Sequence, residues 1–369
     1  MYETRISILN VLNNNKAQSI ISKLSYSIDK MRRCYLDSET SEIVIITDEE
    51  DENIVRIVDE LIKSEISTRE FKQKILREKR LAWENGRTES VPVNYDRWVK
   101  SEQGHYLLTK VDKLFQGISQ LYQAQPRRFR SFISRKTLER CNYVHTFPQN
   151  QYLVSEFPHN LNAIRGLREN NSYDQYTQPS EFLLSPAVCF HCYEELQDQT
   201  LTEPIVITAN APCYRHEAQW RVNNYRRKEF YMREIVYVGP SQFVEDTRHQ
   251  LMDRIWWIFD EMGFHGKVET ASDPFYFVED QDKGLHQLFT KMKYELVVVL
   301  KNGESFAIAS FNNVAHSLCS VYNIKSESGE YMHSGCAAFG LDRWVYALLV
   351  EFGTDLSAWP DSIKATLKI

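Results

Sequence analysis

The sequence predicts an α+β protein, an antiparallel sheet with helices packed against it. Two β-rich runs, "EPIVITANAPCYRHE" and "KEFYMREIVYVG", are separated by a polar, basic stretch, as in an antiparallel pair with a long connecting loop. Two further strands follow at "YELVVVL" and "SFAIASF". Between the pairs, "SQFVEDTRHQLMDRIWWIFDEMGF" carries Phe243, Leu251, Ile255 and Ile258 at helical spacing behind a Ser241 cap, which predicts one long amphipathic helix. Strands that come in antiparallel runs rather than in strict βαβ alternation point to this class.

From the N-terminus, "SEIVIITDEEDENIVRIVDELIKSEIS" predicts a strand at Ile43 to Ile46 and an acidic turn suited to a helix start. An amphipathic helix with Ile54, Ile57, Val58, Leu61 and Ile62 on one face comes next. The strongly charged stretch from Ser67 to about Asn85, with turn chemistry at Gly86 and Pro92, reads as a linker or domain edge. The expected division is therefore an α/β segment over 1–100 and a larger domain over 101–369. A helix is expected from Gly104 to about Gln123, ahead of Pro126. The C-terminal "FGLDRWVYALLVEFG" predicts a helix opened by a glycine turn and ended near Gly353. There is no internal repeat and no low-complexity tract.

Bulk properties exclude several classes. No apolar run, "ELVVVL" included, approaches the length that spans a bilayer, and "MYETRISILNVLNNN" lacks the pattern of a signal peptide, so a cytoplasmic protein is expected. Seven cysteines at irregular spacing argue for reduced thiols rather than a disulfide framework. A net charge of −6 gives no reason to expect a nucleic-acid binder. The stretch "PAVCFHC" holds the chain's single C-x-x-C, Cys189 and Cys192 around His191. From the residues alone it reads as half a zinc knuckle, as a redox pair, as one ligand of a dispersed metal site, or as apolar packing.

On the first strand pair, Arg215, Glu217, Phe230 and Glu234 bring together a guanidinium, two carboxylates and an aromatic ring. Arg221, Arg226, Arg227 and Lys228 stand on the loop between the strands. A fixed guanidinium clamps phosphate and an aromatic face stacks a base, as a nucleotide site requires; by composition alone a surface hairpin with a basic loop is the stronger reading.

"CYRHE…FYMRE" resembles the second signature of class II aminoacyl-tRNA synthetases and "GCAAFGLDRWVYALL" resembles the third. "FISRKTLERCNYVHTFP", Phe132 to Pro148, resembles their first, dimer-forming region in the form found in the amino acid:[carrier protein] ligases. These are seryl-tRNA-synthetase-like proteins that charge a phosphopantetheine thiol. The similarity runs from Phe132 to about Pro360 and includes "LSPAVC", "ASDPFY", "KYELVV" and "ASFNN". It implies a six-stranded antiparallel sheet flanked by helices, a homodimer, and ATP-dependent activation of a small amino acid of the glycine or alanine type.

By that resemblance, Arg215 holds the α-phosphate and the substrate carboxylate, Glu217 accepts from the adenine amino group, and Phe230 stacks on adenine. Arg343 clamps the γ-phosphate from the start of the last long helix. Cys189, Glu234 and Cys336 take the places of a zinc site whose fourth position receives the substrate amino group. Zn²⁺, ATP and Mg²⁺ are the implied cofactors. An apolar residue near Ala307 replaces the metal-binding glutamate of seryl enzymes, which leaves the Mg²⁺ ligands unassigned. Glu295 and Asn312 contact the amino acid or ATP, or hydrogen-bond within the sheet.

The implied partner is a phosphopantetheinyl carrier protein, which the basic cluster Arg127, Arg128, Arg130, Arg135, Lys136 and Arg140 would suit, although a solvated surface explains that cluster too. tRNA is the weaker acceptor, because residues 1–100 show neither sustained heptads nor a basic stripe. A synthetase-like binding protein without catalysis is the third reading; intact motif arginines and all three zinc-site positions argue against it.

Overall fold

The β-branched and aromatic runs seen in the sequence form the strands of a large sheet. The structure is a computed structural model that describes residues 1–8, 13–28, 30–67, 73–80, 93–170, 173–271 and 292–369. The turn at Gly86 and Pro92 and most of "ASDPFY" lie outside the described residues.

At the N-terminus, β1 (Tyr2–Ser7), α1 (Asn14–Leu24), β2 (Met31–Asp37), β3 (Glu42–Thr47) and α2 (Ile54–Ser67) make an α/β unit. Its three strands pair antiparallel in the order β1-β3-β2. Ile54 and Val58 of α2 meet Ile20 and Leu24 of α1 over Ile43 and Ile45, a small core of its own. The predicted strand and helix face are both present.

Then come β4 (Ile75–Lys79), α3 (Tyr95–Trp98), α4 (Glu102–Gln120), β5 (Gln125–Pro126), β6 (Phe132–Ser134), α5 (Arg135–Arg140), α6 (Tyr143–Thr146), β7 (Leu153–Glu156), α7 (Leu161–Asn170) and β8 (Gln178–Leu184). The chain continues through α8 (Cys189–Glu195), β9 (Thr200–Leu201), β10 (Ile205–Tyr214), β11 (Glu229–Gly239), α9 (Ser241–Glu261), β12 (His265–Thr270), β13 (Lys293–Val299) and β14 (Ser305–Asn313). It ends with α10 (Ser317–Val321), β15 (Lys325–Ser326), β16 (His333–Gly340), α11 (Leu341–Phe352) and α12 (Asp361–Leu367).

The large sheet has eight strands in the order β4-β12-β13-β14-β16-β11-β10-β5. The six central strands are antiparallel throughout, as the resemblance implies, and two edge strands extend them. β5 pairs parallel with β10, whereas β4 pairs antiparallel with β12. β4 corrects the reading of its charged stretch as linker. Arg77 and Lys79 on this strand pair with Asp253 and Asp260 of α9, so the charge that masked it protects a sheet edge. α9 also differs in detail: Pro240 is its cap and Ser241 its first residue, with no side-chain capping bond.

Successive residues on a strand face opposite sides, and the sheet divides accordingly. Ile235 and Tyr237 of β11, Phe311 of β14 and Phe339 of β16 pack against α4, α9 and α11. Trp344 of α11 is buried there between Phe115, Phe259 and Phe264, with its indole N–H donating to the Ile308 carbonyl at 3.1 Å. Trp344→Ala is expected to cost about 3–5 kcal/mol, from the cavity and the orphaned carbonyl, read by chemical denaturation. β16 sits at the centre of the sheet although Gly335, Ala337 and Ala338 give it little strand character. A Cβ at Gly335 would stand 2.2 Å from the Asn312 carbonyl and 2.4 Å from the Tyr237 ring, so close strand approach there requires glycine. No helix among the described residues is long and apolar enough to cross a membrane.

Candidate active site

The opposite face of the large sheet carries the polar residues. In antiparallel pairing, directly opposed residues point to the same side. β10 opposes Ala209 to Glu234 and Cys213 to Phe230; β16 opposes Ala338 to Glu234; β14 opposes Asn312 to Cys336; and β13 opposes Glu295 to Ser310. Register alone therefore gathers Phe230, Glu234, Cys336, Asn312 and Glu295 on one face. The small side chains of Ala209 and Ala338 leave space beside Glu234.

Cys189 reaches this face from the first turn of α8, held over β11 by its neighbour: the Val188 N–H donates to Glu234 Oε1 at 2.9 Å. The ligand atoms of Cys189, Glu234 and Cys336 all lie within 4.8 Å of one another, the one such group of His, Cys, Asp and Glu found among the described residues. Glu234 Oε2 is buried without a hydrogen-bond partner. Burial pushes the Glu234 carboxyl up, and hydrogen bonding to Cys336, burial and the nearby Glu234 hold the Cys189 thiol well above its ordinary range. Asn312, from the facing strand, donates its amide to Cys336 Sγ at 3.3 Å and to Ser310 Oγ at 3.3 Å. Its hydrogen bonds thus run within the sheet and to a member of the cluster.

The other half of "PAVCFHC" points elsewhere. Cys192 packs with Tyr193, Leu196, Val236 and Tyr322 in an apolar cluster, and the His191 ring stacks on Phe129 at 5.1 Å. Neither joins the Cys189 group. Cys213 is likewise buried among Val188, Ala209, Ala211 and Met232, and all seven cysteines are unpaired.

Beside the cluster lies a second group, built on the β10–β11 connection. The sequence suggests Arg215 and Glu217 on a strand; the structure ends β10 at Tyr214 and places both just beyond it. Arg215 keeps strand-like pairing, its N–H donating to the Lys228 carbonyl at 2.9 Å. Its guanidinium donates to the Pro186 carbonyl at 3.2 Å and lies 5.4 Å from the Phe230 ring centre. One guanidinium nitrogen of Arg226, Nη1, donates to both oxygens of Glu217, each at 3.1 Å, an ion pair that the sequence did not single out.

Arg343 enters from the first turn of α11, donating to the Tyr225 and Ala307 carbonyls at 2.9 and 2.7 Å. Desolvation, with Arg226 and Arg215 nearby, pushes it down to about 10, while Glu295 and Glu217 work the other way. Glu295 is paired with Lys293 at 3.1 Å. Three guanidiniums thus converge where two carboxylates are already engaged, an excess of positive charge that favours a polyanion. The start of α11 is fixed by buried Asp342, which accepts from the Tyr231 N–H at 2.6 Å and the Tyr95 hydroxyl at 3.0 Å.

Residues 173–352 match the family described as tRNA synthetase class II core domain (G, H, P, S and T). Amino acid–[acyl-carrier-protein] ligase 1 of Bradyrhizobium diazoefficiens is 31% identical over 247 residues, which cover 65% of this chain and 75% of the relative. The chain belongs to the amino acid–[acyl-carrier-protein] ligase family. A second ligase of this family from the same bacterium is 27% identical over 248 residues, with 65% and 73% covered. The type-2 serine–tRNA ligase of Methanopyrus kandleri is 26% identical over 277 residues, but the match spans only 52% of that protein. Among solved structures, the M. kandleri seryl-tRNA synthetase in complex with A. aeolicus tRNASec superposes on 99% of this chain and 77% of its own, with a TM-score of 0.69 at 20% identity. That likeness shows the class II synthetase fold. The serine–tRNA ligase of Naegleria fowleri in complex with AMP agrees, with a TM-score of 0.57 at 12% identity.

Proposed function

We propose that this ligase activates a small amino acid, of the glycine or alanine type, as its aminoacyl-adenylate and passes the aminoacyl group to the phosphopantetheine thiol of a carrier protein. The observation that carries this reading is one sheet face with a Cys-Glu-Cys cluster beside three converging arginines. In the first step a carboxylate oxygen of the amino acid attacks the α-phosphorus of ATP and pyrophosphate leaves. In the second, the carrier thiolate attacks the acyl carbon, and AMP leaves as the thioester forms.

Each of these steps is mostly positioning and charge neutralisation. Arg215 faces the charge that gathers on the α-phosphate and carboxylate oxygens. Phe230 offers its ring to adenine, and Glu217, aligned by Arg226, accepts from the adenine amino group. Arg343 holds the far end of the polyphosphate, where Mg²⁺ carried in with ATP would supply further neutralisation of phosphate charge.

The cluster suits zinc. Two cysteine sulfurs and a carboxylate, all within 4.8 Å of one another, are a donor set that zinc favours. The orphaned Glu234 Oε2 is the atom such an ion would satisfy. When bound, zinc supplies an open coordination position for the lone pair of a free amino group. Cys189, Glu234 and Cys336 would then fix where that amino group stands relative to Arg215.

Amino-acid-dependent exchange of pyrophosphate into ATP, run over a panel of amino acids, tests the reading. Exchange confined to small amino acids is expected. No exchange with any of them contradicts it.

A further inference from the structure

The β10–β11 loop that carries Glu217 and Arg226 does not stand free. Its 3-10 turn, Gln219–Arg221, lies against β2 of the N-terminal unit. The Trp220 side chain packs on that unit's core of Ile20, Leu24, Ile43 and Val58. Arg221 reaches the end of α1, its guanidinium 3.2 Å from Ser22 Oγ and 3.5 Å from Ser25 Oγ. Burial pushes the Arg221 guanidinium down, as does Arg226, and burial with the charge of Glu217 pushes the Tyr26 hydroxyl up. Ser22 and Ser25 therefore seat Arg221, four residues along the loop from Glu217. The far side of the loop is tied separately, Asn224 to the Val93 carbonyl and Arg227 to Asp96.

Turn hydrogen bonds brace the backbone around these residues: the Glu217 N–H donates to the Arg215 carbonyl at 2.8 Å and the Arg221 N–H to the Ala218 carbonyl at 2.9 Å. Trp220 and Arg221 stand three and four residues from Glu217, so their seat on the N-terminal unit bears on where the carboxylate lies. Nor does the unit itself attract a polyanion. Residues 1–67 contain 13 Asp and Glu against 8 Lys and Arg, which opposes the phosphate contacts that drive nucleic-acid binding.

We propose that the N-terminal unit is a positioning element for the nucleotide loop: Trp220 and Arg221, seated on its core and on Ser22 and Ser25, set where Glu217 and Arg226 meet adenine. The inference rests on the nucleotide reading of this loop. Arg221 touches no reacting atom; it acts through Glu217.

The test uses the full chain and two readouts, ATP affinity by titration calorimetry and exchange kinetics. Arg221→Ala weakens ATP roughly 10-fold, the scale of one lost charge-assisted hydrogen bond, while kcat and the amino-acid KM stay within about twofold. Arg221→Lys restores most of the loss, and Ser22→Ala with Ser25→Ala moves ATP affinity in the same direction. A purely structural role would instead lower kcat through the active fraction and leave ATP affinity alone. That outcome, or unchanged ATP affinity in all three variants, overturns the inference while the nucleotide site stands. A wild-type chain that does not bind ATP overturns the nucleotide reading, and the inference with it.

Discussion

Replacing Cys336 or Glu234 by alanine is expected to remove bound zinc and pyrophosphate exchange together. Either change takes one of the three donors that the described residues bring to the site. The loss in exchange is at least about 1000-fold, since a working metal contributes several kcal/mol and each 1.4 kcal/mol is a factor of ten. Cys336→Ala also deprives the Asn312 amide of its sulfur partner, and Glu234→Ala frees the Val188 N–H above α8. Cys192→Ala is the control: its side chain lies in the apolar cluster under α8 and outside the donor set. Metal content by plasma mass spectrometry, measured beside exchange on the same samples, checks the coupling. A metal-free, fully active Cys336→Ala would remove zinc from the mechanism.

Arg215→Ala is expected to lower kcat/KM for exchange by about 100- to 1000-fold, the range seen when one preorganised donor is lost from a developing charge. The side chain is held for that task by the Pro186 carbonyl and the Phe230 ring, and its backbone is locked to Lys228. Arg215→Lys rescues little, because a lysine cannot present the planar fork that spans a phosphate and a carboxylate. Exchange kinetics at varied ATP and amino acid decide it: both kcat and kcat/KM fall if the contact belongs to the transition state. An effect on KM alone would reduce Arg215 to a binding residue.

The strand pair β10–β11 is legible in the sequence because β-branched and aromatic residues gather at Ile205–Thr208 and at Ile235–Val238. α11 is legible from Gly340 and Gly353 at its two ends. β16 is not. Its glycine and alanines are chosen for close packing against Tyr237 and β14, and they carry no hydrophobic period. β4 is hidden by charge, because a sheet edge needs only one apolar side.

At the site, Cys189, Glu234 and Cys336 stand 45 and 102 residues apart, so no spacing rule could unite them. Only the resemblance named them, and sheet register explains why two of them share a face. Arg226 and Arg221 passed as loop charge. Their partners, Glu217 on the same loop and Ser22 some 200 residues upstream, become visible only when the N-terminal unit is set against the loop. Glu217 and Arg226 stand nine residues apart on that loop, a separation that no local spacing rule joins.

Transfer to a carrier thiol or to tRNA is told apart by one measurement. The enzyme is incubated with ATP and the labelled amino acid that supports exchange, then offered a holo carrier protein bearing phosphopantetheine or total tRNA in parallel. Label on the carrier, released by hydroxylamine as a thioester is and absent from the apo carrier, is the predicted result. Label on tRNA with none on the holo carrier would contradict it.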